Sequence, residues 1–250
     1  MMRNLRAALK FAALLLWSAA LLPGALVSHL PARGRLRRGS WWTRLWGRGA
    51  WRLLGGRVEV AGESLPQGGG LVISNHLSYL DILVHAALFG ARFAPKIEMK
   101  RWPLVGMMTA VCNPVWIDRR HRGRAGEAMR EMCDAFAGEV PLLVYPEGTN
   151  GDGGELLPFR STCFAAALVS GTPIRPVLTR YLPAADGTPL PWVGQTGFLP
   201  HFWRVLGLKE VVCQVYIMPE VRPDRCGRKE LTARLRDMMA EHYRRWNENA

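Results

Sequence analysis

Acidic residues are missing from the 58 positions that precede Glu59 in this 250-residue chain. Those positions carry 11 of the 33 Lys and Arg residues, which leaves 22 basic residues to face all 20 acidic ones. The net charge of +13 therefore belongs almost entirely to the N-terminal segment, ahead of a nearly neutral body. A basic segment attracts either nucleic acid or an anionic membrane, and the residues between the charges must decide which.

Cysteine is scarce, and its spacing excludes two kinds of site. The chain has five cysteines and no CxxC pair. An odd, scattered set argues against a disulfide framework and against metal binding by thiolates, and it favours a reducing compartment. The sequence also has no P-loop lysine, no GxSxG motif and no histidine pair at metal-ligand spacing. It therefore gives no support to P-loop nucleotide hydrolysis, serine-hydrolase chemistry or a zinc site.

A run of 20 residues near the N-terminus, FAALLLWSAALLPGALVSHL (Phe11 to Leu30), has no Asp, Glu, Lys or Arg. A helix of this length rises about 30 Å, which is the thickness of the hydrocarbon core of a bilayer. Pro23 and Gly24 interrupt the run. A kinked span and a pair of short re-entrant helices therefore compete with one straight span.

The next stretch, RGRLRRGSWWTRLWGRGAWR (33–52), mixes arginine with tryptophan. Arginine directly after an apolar run opposes export, which argues against a cleaved signal peptide. Tryptophan and arginine together are typical of a segment that lies at the surface of a membrane. The sequence therefore predicts a hydrophobic and basic membrane anchor over 1–57, followed by one domain over 58–250.

Short apolar, β-branched runs alternate with amphipathic stretches through the second part of the chain. The globular part is predicted to start at 58–60. Strands are predicted around 71–75, 113–118, 140–145, 173–182 and 211–221, with a further short strand within 92–111. Helices are predicted over 79–90, with Gly90 as the C-cap, and over 124–139, 161–171 and 228–246, with another near Pro103. Strands that alternate with helices predict an α/β domain.

The stretch SNHLSYLD (74–81) places His76 five positions before Asp81, at the end of a predicted buried strand. An aspartate that accepts the Nδ1–H of an imidazole fixes the tautomer and leaves Nε2 free to act as a base. On a continuous helix the two side chains would point about 140° apart. The pair can therefore work only if His76 lies on the bend before the helix; otherwise Asp81 is an ordinary solvated carboxylate.

A glycine-rich loop, YPEGTNGDGGELLPF (145–159), follows the predicted strand at 140–145. Glycines leave backbone N–H groups accessible, so such a loop can bind an anion or a developing oxyanion. The alternative is an ordinary surface hairpin.

Four stretches, NHLSYLD, IDRR, YPEGT and IRPV, resemble the four sequence blocks of the glycerolipid acyltransferases, typified by 1-acyl-glycerol-3-phosphate acyltransferase. The resemblance covers about residues 58–221. It implies a single mixed-sheet α/β domain flanked by helices, on the cytoplasmic side of the inner membrane. The implied reaction moves a fatty acyl group from acyl-CoA or acyl carrier protein to the hydroxyl of a lysophospholipid. It needs no bound cofactor and no nucleic acid.

The resemblance also implies roles for individual residues. His76 matches the general base, and Asp81 matches the carboxylate that orients it. Residues that match the acceptor-binding blocks, or that add a cation beside them, are Asp118, Arg119, Glu147, Gly148, Thr149 and Arg160. Pro103, Gly106 and Pro176 match further block positions.

Two positions depart from the pattern for a phosphate-bearing acceptor. Asn150 stands where an arginine commonly follows EGT, and Asn113 replaces a glycine before the IDR block. The loop resembles instead the branch that includes lyso-ornithine lipid acyltransferases. Asp152 could then meet an ornithine ammonium, or simply shape a turn. A non-catalytic protein that binds membrane or nucleic acid through residues 1–57 is the alternative from a different class.

Overall fold

The computed structural model describes residues 1–28, 35–65, 68–95, 97, 114–116, 125–194, 196–224 and 226–248. Seven helices are described there: α1 (Met2–Ser28), α2 (Arg35–Leu53), α3 (Leu80–Phe89), α4 (Ala125–Phe136), α5 (Thr162–Ser170), α6 (Phe198–Leu206) and α7 (Arg228–Glu248). The strands within the same residues are β1 (Gly56–Gly62), β2 (Leu71–Ser74), β3 (Arg92–Phe93), β4 (Leu142–Val144), β5 (Ile174–Tyr181) and β6 (Val211–Ile217).

The strands form one mixed sheet in the order β1-β6-β5-β2-β4-β3. Only the β5–β6 pair is antiparallel, and every other neighbouring pair is parallel. In a parallel pair the carboxyl ends of the strands meet at one edge of the sheet. The chain segments that follow β2 and β4 therefore emerge side by side.

Helices cover both faces of the sheet, because the central strand is apolar on both sides. Leu71 and Ile73 of β2 pack in a core formed with α4, α5 and α7. Val72, between them, points the other way into a core formed with α1, α2, α3 and α6. This alternation is the two-residue period of a strand. The α/β mixed-sheet prediction is confirmed.

Most predicted elements are present, and one predicted strand is wrong. The described part of the stretch 113–118, Pro114 to Trp116, is not a strand, although Val115 N–H donates to Phe93 O over 2.9 Å. Pro114 has no N–H group, so it cannot donate to a strand ladder. The predicted helix near Pro103 lies outside the described residues. Helix α6 was not predicted, because Pro200 lies in its first turn.

Helix α1 continues through Pro23 as one helix, so the pair of re-entrant helices is not found within residues 2–28. A Cβ at Gly24 would lie 2.2 Å from the Trp42 ring of α2, so α1 and α2 approach closely at this glycine. By length and composition α1 can cross a membrane, a criterion that an N-terminal signal sequence also meets.

Cations of α1 donate to backbone carbonyls of the α/β body. Arg6 donates to Gly207 O over 2.8 Å, and Lys10 donates to Leu54 O and Leu208 O over 2.6 and 2.8 Å. Arg6 and Lys10 therefore form hydrogen bonds with the protein's own backbone.

Arginines of α2 donate hydrogen bonds to the last backbone carbonyls of α3. Arg44 donates to Phe89 O over 2.9 Å, and Arg48 donates to Ala87 O over 3.2 Å. Positive charge at this position is favourable, because the last carbonyls of a helix carry partial negative charge. Part of the basic charge read from the sequence thus holds the N-terminal helices against the body.

Gly47→Ala is expected to lower the free energy of unfolding by about 1–3 kcal/mol, because overpacking a close helix contact forces backbone shifts. A Cβ at Gly47 would lie 2.6 Å from Ala87 N and 2.8 Å from Ala86 Cβ, both in α3. Gly39, on the same helix, has nothing within 4 Å of an added Cβ. Gly39→Ala should therefore be neutral or stabilising by up to about 1 kcal/mol. Urea unfolding in mild detergent measures both, and equal effects would contradict the α2–α3 contact.

Candidate active site

His76 lies on the bend between β2 and α3, which begins at Leu80. Asn75 locks the start of this bend to β5, since its Nδ2 donates to Thr179 O and its Oδ1 accepts from Thr179 N–H, both over 2.8 Å. The bend brings His76 Nδ1 to 2.7 Å from Asp81 Oδ2. The two side chains therefore meet in the way that a helix through both positions would forbid.

Asp81 is fully buried and uses both oxygens. Its Oδ2 also accepts the backbone N–H groups of Leu77 and Ser78 over 2.7 and 3.0 Å, and its Oδ1 accepts the Tyr181 hydroxyl over 2.6 Å. Burial alone would raise the pKa of this carboxyl. The hydrogen bonds from His76 and Tyr181 outweigh burial, so the pKa lies below its usual range.

The ionised Asp81 determines the tautomer of His76. A carboxylate can only accept hydrogen bonds, so Nδ1 of His76 carries the proton and donates it. Nε2 then has a free lone pair, and no hydrogen-bond partner is found for it among the residues the structure describes. The side chain is 17% exposed. An imidazole held in this way can accept a proton from a molecule outside the fold.

Tyr145 supports the imidazole from one side. The two rings stack with centroids 3.9 Å apart and planes 12° apart. The Tyr145 hydroxyl is hydrogen-bonded to His85 Nδ1 over 2.8 Å, and His85 Nε2 is within 3.0 Å of Thr179 Oγ1. Burial lowers the pKa of His85 to about 4, so this second histidine is neutral at physiological pH. A rigid, uncharged network therefore lies behind the base.

Glu147 joins the bend to the glycine-rich loop. Its Oε2 accepts His76 N–H over 3.0 Å, and its Oε1 accepts Leu157 N–H over 3.1 Å. Gly151 N–H also donates to His76 O over 2.7 Å. The loop after β4 therefore lies directly against the backbone of His76. Burial raises the pKa of Glu147 to about 7, although the two N–H donors oppose this rise.

Glu147→Gln is expected to change how stability depends on pH. The folded-state pKa of about 7 exceeds the ordinary 4.5, so between these values the folded chain holds a proton that the unfolded chain has lost. The resulting stabilisation is complete below pH 4.5 and disappears as the pH rises through 7. Glutamine does not ionise, so the stability of the variant does not fall in this way as the pH rises. Its free energy of unfolding, relative to the original chain, should rise by up to roughly 3 kcal/mol across this window.

Urea unfolding at a series of pH values measures this difference. His85 acts in the opposite direction, because its lowered folded-state pKa makes stability fall as the pH drops from 6.5 towards 4. That contribution is the same in both proteins and cancels in the comparison. A difference that does not change between pH 4.5 and 7 would show that Glu147 ionises normally in the fold.

The structure describes only some of the other predicted substrate-binding residues. Gly148 adopts a left-handed backbone with φ of 71°, and Thr149 beside it is exposed. The Arg160 side chain is exposed, while its N–H donates to Pro146 O over 2.8 Å. Asp118 and Arg119, like Pro103 and Gly106, lie outside the described residues. The roles assigned to these residues in acceptor binding stay predictions.

Two loop residues have structural contacts. Asn150 Nδ2 donates to Trp192 O over 2.9 Å, which ties the glycine-rich loop to the segment before α6. Asp152 Oδ1 accepts Gly154 N–H over 2.9 Å, which is the hydrogen bond of a turn-forming aspartate. Neither side chain supplies the cation that a phosphate group would need.

Sequence reasoning missed the two tyrosines that contact the dyad. Tyr181 is 100 positions from Asp81 in the chain, and only the pairing of β5 with β2 brings it close. Tyr145 had a weak signal, because it directly precedes the Pro-Glu-Gly-Thr stretch. No group of three or more His, Cys, Asp or Glu residues that could hold a metal ion exists within the described part of the chain.

Comparison with known proteins identifies the family of this chain. A sequence profile of the family described as Acyltransferase matches residues 57–180. A lyso-ornithine lipid O-acyltransferase of Rhizobium meliloti (strain 1021) is 30% identical, over 82% of this chain and 76% of that protein. A 1-acyl-sn-glycerol-3-phosphate acyltransferase of Neisseria gonorrhoeae is also 30% identical, over 68% of this chain and 67% of its own length.

A solved structure has the same fold. The crystal structure of the 1-acyl-sn-glycerophosphate (LPA) acyltransferase PlsC from Thermotoga maritima superposes with a TM-score of 0.72 and covers 98% of both chains, at 20% identity. Membership of an enzyme family removes the reason to treat the chain as a non-catalytic binding protein, and the apolar helix α1 suggests membrane association. The resemblance read from the four sequence blocks is confirmed: the chain belongs to the glycerolipid acyltransferase family, and it is an acyltransferase.

Proposed function

We propose that the protein is a membrane-associated O-acyltransferase in which His76 is the general base. The acyl donor is the thioester of acyl-CoA or acyl carrier protein, and the acceptor is the hydroxyl of a lysolipid. The observation that carries this proposal is the contact of His76 Nδ1 with Asp81 over 2.7 Å, which leaves Nε2 available on a partly exposed ring. No bound cofactor is part of the proposal, because both reacting groups arrive with the substrates.

The two substrates differ in how much activation they need before they react. A thioester is already activated, because a thiolate leaves readily, whereas an alcohol is a poor nucleophile until its proton is removed. Nε2 of His76 takes that proton as the oxygen attacks the thioester carbonyl carbon. The tetrahedral oxyanion then collapses, breaks the C–S bond and expels the thiolate, which recovers the proton from the imidazolium. An ester and a thiol result, with no covalent enzyme intermediate.

The oxyanion also needs hydrogen-bond donors. The backbone N–H groups of His76, Leu77 and Ser78 already donate to Glu147 and Asp81. The proposed donors are therefore in the glycine-rich loop after Tyr145, which lies against the backbone of His76.

For the acceptor we propose a lysophospholipid of the 1-acyl-glycerol-3-phosphate type, or a lyso-ornithine lipid. The second candidate is favoured by Asn150, which stands where an arginine would pair with phosphate and instead donates to Trp192 O. Relatives of both kinds are 30% identical to the chain, so identity does not separate the two acceptors.

Purified protein given labelled acyl-CoA, or acyl carrier protein, and a panel of lysolipids tests the proposal. Transfer to lyso-ornithine lipid in preference to 1-acyl-glycerol-3-phosphate is the result expected from Asn150. The reverse preference would assign the phosphate contact to other cations, such as Arg119, Arg120 or Arg160. No transfer to any lysolipid from either donor would refute the proposed function.

We further propose that residues 1–57 attach the enzyme to the inner membrane, with the domain over 58–250 on the cytoplasmic side. The support is the apolar helix α1 together with the arginines that follow it, since arginine near an apolar helix favours the cytoplasmic side. Fractionation of cells that express the full chain, with protease added to spheroplasts, tests sidedness. Cleavage of the domain in intact spheroplasts would contradict it.

A further inference from the structure

Helix α6 lies in the connection between β5 and β6, and the proposed reaction does not use it. The helix is amphipathic: His201, Val205 and Leu206 are buried. Leu199 and Trp203 are 72% and 41% exposed. These two residues are four positions apart and therefore lie on one face of the helix. An exposed leucine and tryptophan on one face point to a partner that is apolar.

The exposed face of α6 adjoins α1. The Phe11 ring lies 6.4 Å, centroid to centroid, from the rings of both Phe202 and Trp203. Leu15, one turn further along α1, is 42% exposed, and Leu16 beside it is 71% exposed. The apolar surface of α6 is thus continuous with that of the one described helix whose length and composition suit a membrane.

The buried side of α6 contacts the candidate active site. The Tyr79 ring, on the bend that carries His76, lies 5.0 and 5.8 Å from the rings of Phe198 and Phe202. His201 Nε2–H donates to Pro189 O, so its Nδ1 accepts the Tyr79 hydroxyl over 2.9 Å. An aromatic cluster therefore joins the exposed face of α6 to the catalytic bend.

We propose that α6 is a second lipid-contacting element, and that Leu199 and Trp203 enter the membrane surface beside α1. The proposal rests on the proposed membrane attachment through α1 and extends it. Tryptophan is favoured at the boundary between headgroups and acyl chains. The exposed cations Arg204 and Lys209 at the end of the helix suit anionic headgroups. With α1 and α6 both in contact with lipid, the aromatic cluster that joins α6 to the catalytic bend holds His76 at the lipid–water boundary, where the hydroxyl of a lysolipid lies.

A fluorophore placed on α6 tests this contact without any catalysis. Leu199→Cys is labelled with the environment-sensitive dye NBD in a chain whose Cys112, Cys133 and Cys226 are serine, and vesicles of equal phosphatidylglycerol and phosphatidylcholine are added. The matched control is Val169→Cys on α5, since Val169 is 74% exposed on the other side of the sheet. We expect a blue shift and a several-fold rise in emission at position 199 only. No shift at 199, or equal shifts at both positions, would overturn the proposal.

Kinetics with Leu199→Glu give a second test that needs no cysteine changes. We expect kcat/KM to fall about tenfold for a long-chain lysolipid in vesicles, because a leucine that is proposed to lie in lipid is replaced by a charge. For a short-chain acceptor below its micelle concentration, kcat/KM should be unchanged, and Val169→Glu should change neither value. Unchanged kinetics with vesicles, or an equal loss with both acceptors, would overturn the proposal.

A second copy of the chain is the other occupant that this face could have. A concentration-dependent dimer in sedimentation velocity that Leu199→Glu abolishes would assign the face to that copy and refute lipid contact. The dye measurement stands even if no acyl transfer is found, so failure of the proposed reaction and failure of this contact are separate results.

Discussion

His76→Ala is expected to lower kcat by about 10²–10⁴-fold, which is the usual contribution of a general base. The variant should fold and bind vesicles as before, because the His76 side chain contributes one hydrogen bond to Asp81 and a stack on Tyr145 at the rim of the site. Initial rates with labelled acyl-CoA measure the loss, and thermal unfolding measures the fold. The effect should fall on kcat more than on KM, since Nε2 acts as the hydroxyl attacks.

His242→Ala is the matched control, since His242 lies on α7 against the Tyr216 ring and away from the bend. It should keep full activity. If His76→Ala retained more than about a tenth of the original kcat, another group would have to be the base and the proposed mechanism would fail.

Asp81→Asn is expected to lower kcat on the order of 10²-fold or more, with the fold retained. The Oδ2 position receives three N–H donors, so only the amide oxygen of asparagine can stand there. The amide NH₂ then faces Tyr181, whose hydroxyl can turn and accept a hydrogen bond. The geometry survives, while the negative charge that stabilises an imidazolium in the transition state is lost.

Tyr181→Phe separates charge from hydrogen bonding in this pair. It removes the donor to Asp81 Oδ1 and leaves the carboxylate in place. We expect kcat within about tenfold of the original, since one hydrogen bond to a charged group is lost and the counter-ion stays. Single-turnover rates of both variants give the comparison. An equal loss in the two variants would mean that orientation, and not charge, is what Asp81 supplies.

Features set by neighbouring residues were predictable. The apolar run before His76 indicated a strand and Gly90 indicated the end of a helix, while the bend at His76 was one of two alternatives; the strand, the bend and the helix all exist. The alternation of apolar segments indicated an α/β domain, and the four-block resemblance indicated the family. These inferences need only local spacing or a known pattern.

Features that depend on distant pairing were not predictable. The contact of Tyr181 with Asp81 exists because β5 lies beside β2, and strand order cannot be read from the period of one strand. The hydrogen bonds that the Glu147 carboxylate accepts from the N–H groups of His76 and Leu157 also depend on distant contacts, and its role in acceptor binding stays a prediction. Helix α6 was not predicted because Pro200 lies near its start, although proline is well tolerated in the first turn of a helix.

The pairing of β1 with β6 has a consequence for synthesis of the protein on the ribosome. Glu59 of β1 faces Gln214 of β6, 155 positions later, so the sheet cannot close until β6 has emerged. Helices α1 and α2 leave the ribosome before the body does, with apolar surface that the body covers only later. Contacts this distant form slowly. The nascent chain would therefore reach lipid, or a chaperone, through its N-terminal helices before its catalytic bend exists.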